Sequence, residues 1–61
     1  MTKDEVMNKF QELQNYHREQ ATRYHKKFME DNNKNFRIEY EFHNTKAETW
    51  KNAIRYISFL N

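Results

Sequence analysis

Along the first half of the chain, apolar or weakly polar side chains recur at Val6, Phe10, Leu13, His17, Ala21, Tyr24 and Phe28. These steps of three and four residues trace one narrow stripe on an α-helix, and the positions between them are mostly polar. The start is marked by Thr2 and Glu5, which have capping-box spacing, while Asp4 and Glu5 add negative charge at the positive helix end. Glu5–Lys9 and Glu19–Arg23 stand one turn apart in the favourable order, each pair worth about 0.2–0.5 kcal/mol. The pattern predicts a first helix over about 2–31. It ends at Asp31-Asn32-Asn33-Lys34-Asn35. The chain has no glycine, and asparagine is then the residue best able to take the left-handed conformation that stops a helix.

The second half reads two ways. Phe36, Ile38, Tyr40 and Phe42 alternate with Arg37, Glu39, Glu41 and His43, as on a strand. Yet Phe36, Tyr40, His43, Ala47, Trp50, Ile54 and Ile57 form a heptad-like helical seam. Thr45-Lys46-Ala47-Glu48 is a further capping box at which a fresh helix can start. Helices over 2–31 and 35–60 would be about 45 and about 39 Å long at 1.5 Å per residue, so their seams match when the chain folds at the asparagines. Phe28 then faces Tyr40, Tyr24 faces His43, Ala21 faces Ala47, His17 faces Trp50, Leu13 faces Ile54 and Phe10 faces Ile57. A lone strand over 35–43 has no partner in its own chain and would need a second copy. The expected fold is therefore all-α, a single domain over 1–61 built as a two-helix antiparallel hairpin. The alternative is helix–strand–helix with strand 35–43 paired between chains.

Both readings point to self-association. In the hairpin, Ile38 and Phe42 lie outside the seam, with Tyr56 and Leu60 on the same side. The second helix thus has too wide an apolar arc for one neighbour, and dimerisation into a four-helix bundle is expected. Length and composition sharpen this. Sixty-one residues lie near the lower limit for a core that stands alone, and only six of them are Val, Ile or Leu. Cysteine is absent, which excludes disulfide staples and thiolate metal sites. The low aliphatic content raises disorder as a question, but a net charge of +2 with mixed signs and an aromatic content of 16% oppose it. The polar N-terminal stretch and the lack of any run of about 20 apolar residues predict no membrane association and favour the cytoplasm. Frequent Asn, Lys, Phe, Tyr and Ile fit AT-rich codons, as in a phage or other mobile element of a low-GC bacterium.

Candidate chemistry is sparse. Glu39 and His43 have the one-turn spacing of a metal-binding pair, but the hairpin puts His43 nearer Tyr24 than His17 or His25, so a ligand set is missing. The expectation is no metal and no cofactor. His17 and His43 on the seam raise the weaker idea of a pH-sensitive interface. The only serine, Ser58, has no histidine or aspartate at helical spacing, and the carboxylates are dispersed among lysines. No enzyme is expected. The basic residues Arg18, Arg23, Lys26, Lys27 and Arg37 form the alternative, a nucleic-acid-binding regulator. Helical projection scatters the four from the first helix around the cylinder, and net +2 gives little steering. The leading expectation is a small homodimeric protein-interaction module, a regulator or inhibitor that binds a macromolecular partner. Its partner-binding or oligomer surface comprises Ile38, Phe42, Tyr56, Phe59, Leu60 and Trp50, aromatic-rich in the manner of protein interfaces.

Overall fold

The computed structural model describes residues 2–60. Helix α1 (Lys3–Asp31) and helix α2 (Lys34–Phe59) fold back on one another as an antiparallel hairpin, 46 × 14 × 12 Å along its principal axes. Thr2 is extended, and its side-chain oxygen accepts the Glu5 N–H at 3.2 Å, so the predicted box supplies the N-cap of α1. Lys9 turns to Glu12 at 3.8 Å, an exposed pair of little energetic weight.

The asparagine cluster divides its work within two residues. Asn32 takes the left-handed conformation (φ 56°, ψ 30°) and donates its N–H to the Phe28 carbonyl at 2.6 Å, closing α1. Asn33 is extended, and its side-chain oxygen accepts the Asn35 N–H at 2.8 Å, opening α2. One residue ends a helix and the next begins another.

From there α2 runs unbroken through residues 34–59, which overturns the alternative strand over 35–43. The alternation of Phe36 to Phe42 is coincidental with a longer helical repeat, and only the helix lays that repeat against α1. Thr45 lies mid-helix, so its capping box is unused. The shielded positions reproduce the expected seams, Val6 to Phe28 on α1 and Phe36 to Ile57 on α2, with Met7, Gln14, Gln20 and Ala53 partly shielded beside them.

The pairing across the seam differs from the face-to-face register expected. Phe10 meets Trp50, with ring centroids 4.9 Å apart, and His17 meets His43 instead of Trp50. Tyr40 lies against His25 at 4.9 Å. Tyr24 does stack on His43, at 5.8 Å and nearly parallel, and it also approaches Phe36. The reason is interdigitation. A seam side chain enters a hole on the opposite helix, and His43 takes the one between His17 and Tyr24, about one seam position from the expected register. Among the described residues only Ala21, Ala47 and His43 are buried. Two alanines at the middle let the helices approach closely, but the layer between them is thin.

Candidate functional site

At the centre of the hairpin the Nδ1 atoms of His17 and His43 are 2.9 Å apart. That distance requires one proton between them, with one ring donating and the other accepting. Glu39, one turn before His43, places Oε2 3.7 Å from Nε2. This is long for a hydrogen bond, yet a carboxylate there favours the tautomer of His43 with its proton on Nε2. His17 then donates and His43 accepts. Tyr16, Tyr24 and Phe42 enclose the pair: Tyr16 edge-on to both rings, Phe42 edge-on to both, and Tyr24 stacked on His43. Partial burial lowers the pKa of His17 below its ordinary value, helped by the charges of His43 and Lys46. The shared hydrogen bond survives one added proton on the pair but not two.

Sequence reasoning placed both histidines on the seam and missed their contact, because it paired residues directly opposite. The shift of one seam position that makes the contact is set by both helices together, and neither stripe alone carries it. Two imidazoles and one more distant carboxylate do not make a metal centre, and no group of three candidate ligands comes together among the described residues. Ser58 donates its hydroxyl to the Ile54 carbonyl at 2.9 Å, an ordinary bond within its own helix.

The more extensive feature is apolar. Ile38, Phe42, Tyr56, Phe59 and Leu60 are each more than half exposed, from 51% for Phe42 to 80% for Phe59. Tyr16 and Met29, absent from the expected surface, are also more than half exposed. Tyr16 lies beside the regular α1 stripe, on the other helix from the expected surface. Trp50 is half-buried against Phe10, so only part of its ring faces outward. Lys46 holds its ammonium 5.6 Å from the centre of the Phe42 ring.

The basic residues do not converge. Arg18, Arg23, Lys26 and Lys27 are exposed on α1, and nine residues at roughly 100° each put Arg18 and Lys27 on opposite sides of it. Lys27 lies over Tyr24 and Phe36, and Arg37 is engaged with Glu41 at 3.2 Å. No helix among the described residues is long and apolar enough to cross a membrane. No protein-family model, no curated protein and no solved structure matches the chain.

Proposed function

We propose that this chain is a non-catalytic protein-interaction module, a homodimeric helical regulator or inhibitor that acts by covering or bridging a macromolecular partner. One observation carries the reading. Among the described residues, seven large apolar side chains are more than half exposed, whereas two alanines and a histidine are the buried ones. An apolar surface that outweighs the core is expected of a chain completed by another molecule. The dispersed carboxylates and the internal bond of Ser58 support a non-catalytic role.

The competing reading, binding of nucleic-acid backbone through Arg18, Arg23, Lys26, Lys27 and Arg37, is weakened by their scatter and by the local engagement of Lys27 and Arg37. Binding that falls steeply with salt, and falls again when Arg23, Lys26 and Lys27 become alanine, would favour it.

The interaction reading is tested with Phe42→Asp and Phe59→Asp. Helicity by circular dichroism should stay near that of the natural chain, while Phe42→Asp lowers the mass measured by light scattering and Phe59→Asp lowers recovery of a partner. If both variants keep mass and recovery, these positions drop out of the account.

A further inference from the structure

The exposed apolar residues of α2 belong to a longer series. Ile38, Phe42, Thr45, Thr49, Ala53, Tyr56 and Leu60 step along the helix by four, three, four, four, three and four. Such steps hold one face for the whole length of α2, a second stripe beside the seam that packs on α1. None of the seven is charged, although 33% of the chain is Asp, Glu, Lys or Arg. Four of the seven large exposed apolar side chains stand on it.

The spacing is the same read from either end, and so are the sizes. About Thr49 as centre, Ile38 is mirrored by Leu60, Phe42 by Tyr56, and Thr45 by Ala53. A two-fold axis pairs a surface with itself, so each residue must suit its mirror-image counterpart. This stripe does: large side chains oppose large ones towards the ends, and small ones oppose small ones at the middle. Thr49 fits the centre for a further reason. Its hydroxyl already donates to the Thr45 carbonyl at 3.0 Å, so burying it leaves no donor unpaired.

The area agrees. The chain exposes 5036 Å² at a mass of 7.7 kDa, where a compact monomer of that mass exposes about 4,300 Å². The excess, about 700 Å², is close to the ~800 Å² that each partner covers in a standard interface.

We infer that the occupant of this stripe is a second copy of the chain, its α2 lying antiparallel to the first with the dyad at Thr49. This rests on the self-association proposed above and specifies its face and direction. Phe59 and Met29 stay outside the contact, available to another partner.

The absence of cysteine makes the test direct. Thr49→Cys should form a disulfide-linked dimer on mild oxidation, since the dyad brings the two sulfurs together. Lys51→Cys, on another side of α2, should stay a single chain on a non-reducing gel. Thr45→Cys and Ala53→Cys should each fail to cross-link alone, because eight residues along the helix put like positions about 12 Å apart. Mixed, the two should cross-link to each other. Cross-linking of Thr45→Cys to itself would make the pairing parallel and overturn the inference. A dimer by light scattering in which Thr49→Cys does not cross-link would overturn the stripe as the contact, leaving self-association intact. A single chain at every concentration, with no cross-link, would remove both.

Discussion

His17 and His43 meet Nδ1 to Nδ1 at 2.9 Å, and the behaviour of the pair follows from counting protons. Neutral rings share one hydrogen bond at 2.9 Å, and two protonated rings present N–H to N–H. The groups facing the pair are Glu39, whose carboxylate lies 3.7 Å from Nε2 of His43, and Lys46, whose charge opposes one on His17. Because the pKa of His17 is lowered in the folded chain, the unfolded chain binds more protons as pH falls below about 6.5. The stability contributed is therefore complete above that pH and is lost as pH falls through the lowered folded value. Thermal melts should show a midpoint that drops between pH 7.5 and pH 5, and His17→Leu should flatten most of that drop. A natural chain whose midpoint is level over this range would contradict the account.

The helices owe their boundaries to short-range bonds and their pairing to the seam. Thr2, Asn32 and Asn33 each satisfy or redirect a helix end through one local hydrogen bond. Asn32 is the position at which a side chain with an ordinary β-carbon is least welcome, since left-handed backbone costs such residues about 1–2 kcal/mol. Asn32→Ala should lower unfolding stability in urea by about 1 kcal/mol, whereas Asn32→Gly should match or exceed the natural chain. Equal stability of the alanine variant would mean that seam packing alone holds the turn. The acidic residues Glu30 and Asp31 sit at the unfavourable end of α1, yet the two-residue link sets them beside the positive start of α2. The seam residues and the turn were legible because both lie in short-range patterns. The strand alternative over 35–43 arose because a local window cannot tell a two-residue alternation from part of a longer helical repeat.

The hairpin is long for its mass. Its radius of gyration is 14.0 Å, where a compact domain of 61 residues has about 10.5 Å and one of 122 residues about 13.7 Å. Two hairpins side by side would have dimensions near those of an ordinary domain of their combined length. If assembly supplies the missing cover, the melting midpoint must rise with protein concentration. Dilution over a hundredfold range should lower it, and Tyr56→Asp should lower it at all concentrations while weakening that dependence. A sharp, cooperative melt with a midpoint independent of concentration would show a chain sufficient alone.

Periodicity in the chain was enough to determine two helices, the stripe each buries, and the asparagines between them, since these depend on neighbours within a turn or two. The exposure of Ile38, Phe42, Tyr56, Phe59 and Leu60 was legible for the same reason, since they are apolar positions off the stripe. What needed the folded chain was the register. Packing shifts the two seams by about one position from the face-to-face register, and that shift is set by both helices packing together. It brings His17 to His43, sends Trp50 to Phe10, and sets Tyr16 against the histidines while about half of it stays exposed. No spacing along one strand of sequence encodes a distance between two rings 26 residues apart.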